Sequence, residues 1–523
     1  PSMIDLAVIW VWENMVLRIP GVAPLVAYLT GDVYGHLEQR SFYDDFDFVD
    51  PVIGMFLVAF VLPALGMYFI SPKISGLHVF TSLGIVWKDA SARSSKWRNE
   101  SKATYSGTHR PPKLSKEDEK ARMRGVQVLS KEEYCSTKQS FPPQKKVYTL
   151  YPPAHFPKGE LLENPPVQKS WFRQSEPVDL TIEEGEAYEL RLRALREGAE
   201  VLRQVRQYAQ YTIRPGMEVT DIINIAEYTT NQILGLDRPR KRGLLSPVGL
   251  AVNEIVANWT SSSFDNRRWL LPTDLATLDL AVNVDGHFLD TAFSFSFDPM
   301  HDELLQVVRD ATNTGVRLCG LDASVDDVGA QVAEVLNSGQ VHTPDGKVLQ
   351  VNSIMNLTGP LFGKCDLMYD KRNTIPLSRG QVSNRRMKLG ELWVVDAFGC
   401  AGGHGYAKTL GTARYYQVAK KLGEIPEHEA AGDSVKEMAK LTERAFGTEW
   451  IYCERWLEEE CEKLKMKKSQ KEKWETIMGD THKYCLSNRK DVFAEAPGSH
   501  TARFSHTVLI GSKQKEVLTR GTD

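Results

Sequence analysis

Leu275–Pro299 reads LATLDLAVNVDGHFLDTAFSFSFDP. At period two it holds an apolar run over 277–282 and a second over 288–297, with Asn283-Val284-Asp285-Gly286-His287 between them. Asp-Gly flanked by alternating apolar residues signals a β-hairpin. Each predicted strand carries one carboxylate among apolar neighbours, Asp279 and Asp290. A buried lone carboxylate needs backbone donors, a cation or a metal. Two of them on paired strands repel unless something positive lies between them.

Working outward, LLQVVRDATNTGVRLCGLDASVDDVGAQVAEVL (304–336), NLTGP (356–360), GELWVVDAFG (390–399), FGTEWIYCERWL (446–457) and RFSHTVLIGSKQKEVLTRG (503–521) follow in order. Upstream lies AEVLRQVRQYAQYTIRPGM (199–217). With the hairpin, this set resembles the type 2 methionine aminopeptidases and the related proliferation-associated proteins over roughly the last two thirds of the chain. The resemblance implies an α+β pita-bread domain, creatinase/aminopeptidase-like, over 179–523, with a helical insertion near 412–490. It also implies a dinuclear metal site whose ions lower the pKa of a bridging water.

Carried over residue by residue, the family's ligand set is only partly matched. Asp279 and Asp290 match its two aspartates, and Asp396 stands where the family has a glutamate. The expected histidine ligand is Pro360, whose side chain has no lone pair, and the last glutamate is Ser505. Asn258 and Met368 stand at the two substrate-pocket histidines. Two of five ligands are lost and one is altered, so no metal, no other cofactor and no catalytic residue is expected. Asp279, Asp290 and Asp396 remain as vestigial positions, able to hold one hard cation weakly or to pair with a nearby Lys or Arg. His287, His404 and His506 read as structural.

The chain has 523 residues, 64 basic and 67 acidic, for a net charge of −3. That balance gives no global attraction to nucleic acid, which is not expected as a partner. Seven cysteines without a CxxC argue against a disulfide framework and a thiolate zinc site.

Residues 1–50 read as an apolar interfacial or partner-binding segment. The run 51–71 begins with PVIGMFLVAFVLPALGMYFI, uncharged over 51–70 and long enough to cross a bilayer. Basic residues follow it, which predicts the C-terminal bulk on the matrix-like side. Residues 72–178 read as an extended basic, Pro-rich tether. One short helix is predicted there, opened by a capping box at Ser115–Asp118. A second capping box at Thr181–Glu184 predicts a long helix to about Thr212. Helices are also predicted over Val219–Leu234 and from about Asp302 to Cys319.

These features together predict a non-catalytic accessory subunit of a large membrane complex, a single-pass pseudoenzyme in the mitochondrial inner membrane and respiratory chain. Residues 1–178 are expected to bind the other subunits, and 51–70 the lipid bilayer. Two alternatives stand beside it. One is an RNA- or ribosome-binding relative using basic stretches 88–146 and 463–472; the other is an active metalloaminopeptidase with an altered metal site.

Overall fold

The computed structural model describes residues 110–135, 138–152, 155–166, 185–235, 242–262, 267–357, 373–377, 385–418, 433–447, 450–463 and 487–521. The chain divides into two compact units, Pro1–Glu100 and Ser101–Asp523, and every described residue belongs to the second. The expected interfacial segment and the apolar span 51–70 lie outside the described residues.

Helices α1 (Lys131–Cys135), α2 (Val147–Leu150), α3 (Glu186–Thr212) and α4 (Val219–Leu234) precede the central hairpin. Helices α5 (Asp302–Leu318) and α6 (Val325–Ser338) follow it, and α7 (Asp433–Phe446) and α8 (Glu454–Lys463) come later. The strands are β1 (Glu160–Glu163), β2 (Arg242–Leu244), β3 (Gly249–Val252), β4 (Ile255–Ala257), β5 (Leu275–Val284), β6 (His287–Ser296), β7 (Gln340–His342) and β8 (Val348–Ser353). They continue with β9 (Asn373–Thr374), β10 (Leu392–Ala401), β11 (Lys408–Val418), β12 (Ile451–Tyr452), β13 (Ser487–Ala494), β14 (His500–Ile510) and β15 (Gln514–Val517).

The decisive hairpin is β5–β6, paired from Leu275↔Ser296 to Val284↔His287. Asp285 and Gly286 turn it with φ of 53° and 89°. Both central residues at positive φ make the turn whose twist matches the strands. Among the described residues the large sheet runs β2-β5-β6-β14-β10-β8-β7, with β3 on β5, β9 on β10, and β15 joining β14 to β1. A smaller sheet runs β12-β11-β13-β4.

Two halves repeat one packing scheme. Helices α3 and α4 precede the β5–β6 hairpin, and α5 and α6 precede the β10 and β14 strands. α3 buries Leu195, Ala199, Leu202, Val205 and Ala209 at helical spacing against the sheet, while Leu190 is exposed. A Cβ on Gly198 would fall 2.6 Å from Leu289 Cδ1, and one on Gly315 of α5 would fall 2.6 Å from Val395 Cγ1. Each half thus uses a glycine to bring its first helix close to the strands. These helices cover one face of the large sheet and leave the other to the site.

The Pro-rich stretch does not stand off as a tether over its described part. Strand β1 pairs with β15, and Arg124 bridges to Ser296. Gln139 and Tyr151 hydrogen-bond to Gln204 and Glu200 of α3. The capping box forms reciprocally between Ser115 and Asp118. It opens only a short 3₁₀ turn, Asp118–Lys120, because the chain then becomes extended and meets β6. The Thr181 capping box lies outside the described residues.

The helical insertion is a mixed subdomain: α7 and α8 pack with the β11–β13 pair. It is tied back by Arg455 of α8, which donates to Glu227 of α4 at 2.9 and 3.2 Å and to the Ser261 carbonyl at 3.0 Å.

Candidate functional site

Strand register brings the expected carboxylates to one face. Asp279 lies opposite Ala292, Ala292 opposite Ser505, and Ser505 opposite Asp396. These four form a row across β5, β6, β14 and β10, and Asp290 lies two residues along β6 on the same face. Three strand spacings separate the backbones of Asp279 and Asp396 by roughly 14 Å. Two short side chains cannot meet across that gap.

Arg503 closes it. It lies two residues before Ser505 on β14, so it shares the face. Its Nε and Nη2 donate to the two carboxylate oxygens of Asp396 at 2.7 and 2.8 Å. Its Nη1 donates to Asp279 Oδ2 at 2.6 Å. The guanidinium carbon lies 4.8 Å from the Phe398 ring centroid. Only 2% of the Arg503 side chain is exposed. Burial works to lower its pKa, but Asp279 and Asp396 outweigh that and hold it above the ordinary value. A forked guanidinium satisfies two carboxylates at once, as an ammonium cannot.

The remaining positions divide. Thr507 Oγ1 donates to the Asp290 carbonyl at 2.9 Å, and Asp290 is buried. The Ser505 hydroxyl is buried with no hydrogen-bond partner among the described residues. Asn258, held at φ 61°, donates to the Asp491 carbonyl at 3.0 Å and so anchors β13. His506 is buried on the opposite face of β14, beside Thr519 and Arg520 at 3.4 and 3.5 Å. His404 is exposed, and its backbone N–H donates to Glu495. Pro360 and Met368 lie outside the described residues.

Two site residues escaped the sequence reading. Arg503 opens RFSHTVLIGSKQKEVLTRG, and its signal is a lone cation at even spacing in a buried strand. Tyr415 is the other: burial and then Asp279 push its hydroxyl pKa well up. Its oxygen lies 2.8 Å from where a Cβ on Gly249 would be, and Asp279 Cβ is 3.3 Å from that point. Nothing local in β11 marked it.

The donors as arranged do not fit a two-ion cluster. A divalent ion takes carboxylate oxygens at about 2.0–2.6 Å. Three of the oxygens that would serve, Asp279 Oδ2 and both of Asp396, accept from Arg503 instead. Among the described residues no group of three His, Cys, Asp or Glu side chains is placed to hold a metal.

The model of metallopeptidase family M24 matches residues 193–415. Methionine aminopeptidase 2 of Kluyveromyces lactis is 31% identical over 394 residues, 72% of this chain and 87% of that protein. This chain belongs to the methionine aminopeptidase 2 family. Methionine aminopeptidase 2A of Arabidopsis thaliana is 31% identical over 74% of this chain and 82% of its own. A solved structure of a thermophilic Arx1 superposes with a TM-score of 0.49 at 15% identity, covering 63% of this chain and 90% of that one. The pita-bread fold is the family's, as the resemblance implied.

Membership corrects several expectations. The scaffold role in a respiratory complex is overturned, because these relatives are named as methionine aminopeptidases. The expected pseudoenzyme falls to the same finding. Missing ligands show that the centre has changed its form, and the step from there to an absent activity does not follow. The single-pass mitochondrial inner-membrane placement is likewise corrected. It rested on the respiratory-complex role that the relatives' names overturn, and among the described residues no helix is long and apolar enough to cross a membrane.

Proposed function

We propose that this protein is an aminopeptidase of altered centre, acting on the amino terminus of a polypeptide. What carries the reading is the family match over most of the chain, together with Asp279, Asp290 and Asp396 on one face of the central strands. A free peptide terminus is an ammonium ion, and three carboxylates against one guanidinium leave this centre net negative. In a site with a low effective dielectric such a charge attracts a cation well beyond what it would in water. Asp279 is the carboxylate such a terminus reaches first, since its side chain is the more exposed of the Arg503 partners, at 23% against 10% for Asp396.

The test is methionine release from a Met-Ala-Ser peptide by the purified full chain, with chelator and with added Mn²⁺. Release in either condition, proportional to protein and lost in Asp290→Asn, supports the reading. Release no greater than a mock purification in both conditions overturns it.

A further inference from the structure

The disagreement between the family's metal chemistry and the residues present has a structural consequence of its own. Asp279 and Asp396 sit on strands three places apart, and the sheet fixes their backbones. Carboxylates so placed, one of them 9% exposed as a residue, must be neutralised for the strands to pair around them. A metal cluster does this by bridging. Here Arg503 reaches both through three charge-assisted bonds of 2.6–2.8 Å, from a guanidinium stacked on Phe398. Its backbone N–H donates to Ser294 Oγ at 2.6 Å, and its carbonyl accepts from the same hydroxyl at 3.0 Å, so the strand that carries it is fixed as well.

We propose that Arg503 is the resident cation of this centre: its guanidinium takes the structural place of a divalent ion, so the fold needs no metal, and an ion is admitted only when Arg503 is removed. The unpartnered Ser505 hydroxyl is an independent mark of the exchange. It lies in the row between the two aspartates, at a position where the family resemblance puts a ligating glutamate. A serine there leaves room for the guanidinium and adds no further charge to compete for it. Removing Arg503 would leave Asp279, Asp396, Asp290 and the Ser505 oxygen on one face of the sheet with no cation among them. That is an all-oxygen set, suited to a hard divalent ion such as Mn²⁺ or Mg²⁺.

The inference concerns how the centre is held and stands apart from peptide turnover, so its test reads ion binding and melting rather than activity. Equilibrium dialysis against Mn²⁺ and melting with Mn²⁺ or chelator are run on the full chain as wild type, Arg503→Ala and Arg503→Lys. The wild type should retain no Mn²⁺ above the level of a Asp279→Asn/Asp396→Asn control and should melt at the same temperature in chelator and in Mn²⁺. Arg503→Ala should melt several degrees lower in chelator, bind close to one ion per chain, and recover part of the loss in Mn²⁺, since a ligand that binds only the folded state raises its melting point. Arg503→Lys keeps the charge and should stay insensitive to Mn²⁺. If Arg503→Ala folds only with Mn²⁺ present, that also supports the proposal. Stoichiometric Mn²⁺ on the wild type, lost in the double asparagine control, would overturn it. So would an Arg503→Ala protein that folds yet ignores Mn²⁺, or an Arg503→Lys protein that gains the same Mn²⁺ response as the alanine variant.

Discussion

Asp396→Asn should destabilise the chain far more than Asp279→Asn, although both remove one carboxylate from the same arginine. Asp396 accepts two of the Arg503 bonds, at 2.7 and 2.8 Å, and its side chain is 10% exposed. An asparagine there keeps one acceptor and turns an N–H₂ group toward a guanidinium that offers only donors. It also leaves most of a buried positive charge uncompensated. Breaking one partner of a buried ion pair costs about 3–5 kcal/mol. Asp279 accepts one bond, at 2.6 Å, and its side chain is 23% exposed. An asparagine there can keep its carbonyl on Nη1, and water screens part of the lost charge. Its cost is about 1–2 kcal/mol, that of weakening one charged hydrogen bond. Urea midpoints of the two variants, with the slope unchanged, measure the difference. The double variant should cost less than the two singles together, because they share Arg503. Equal losses, or a larger loss for Asp279→Asn, would refute the assignment of Asp396 as the principal partner.

Arg455→Met should cost about 3–5 kcal/mol by stranding Glu227, while the double variant with Glu227→Gln should recover at least about 1 kcal/mol of the additive total in a urea-unfolding cycle. Gly329→Ala should cost about 1–3 kcal/mol, since its Cβ would fall 1.9 Å from the Pro376 carbonyl oxygen; Gly346→Ala, at φ 80° in open space, should cost about 1 kcal/mol, and melting curves rank them. His500 gives the pH dependence. Burial and then His301, whose ring centroid lies 4.6 Å away, push its pKa down from 6.5 to about 4. The folded state therefore binds fewer protons than the unfolded state between those values, and stability falls as pH drops from 6.5 toward 4. The loss reaches roughly 3 kcal/mol at the low end, at about 1.4 kcal/mol per unit. Melting of His500→Asn should be flatter across that window, and an unchanged slope would show that another group carries it.

The hairpin was legible because its period, its turn residues and its paired aspartates all point to one local geometry. The helices of both halves were legible for a related reason: their apolar stripes answer to a sheet face, and α4 falls on the predicted Val219–Leu234. What sequence could not supply was who neutralises the aspartates. That partner sits more than two hundred residues from Asp279 and about a hundred from Asp396, and only strand register brings it between them. The lost metal ligands describe the centre only by what it lacks, whereas with Arg503 in place two of the three carboxylates are held in ion pairs. The Pro-rich stretch failed differently. Its composition predicts an extended chain, and the described part holds short helices and one strand, packed where composition could not place them. β1 on β15 and Gln139 on Gln204 show that residues 110–166 complete the domain they were expected to tether. Cutting the chain at 178 to isolate the C-terminal lobe would therefore expose an edge strand and buried polar groups of α3, and experiments on the centre need the chain from residue 110 onward at the least.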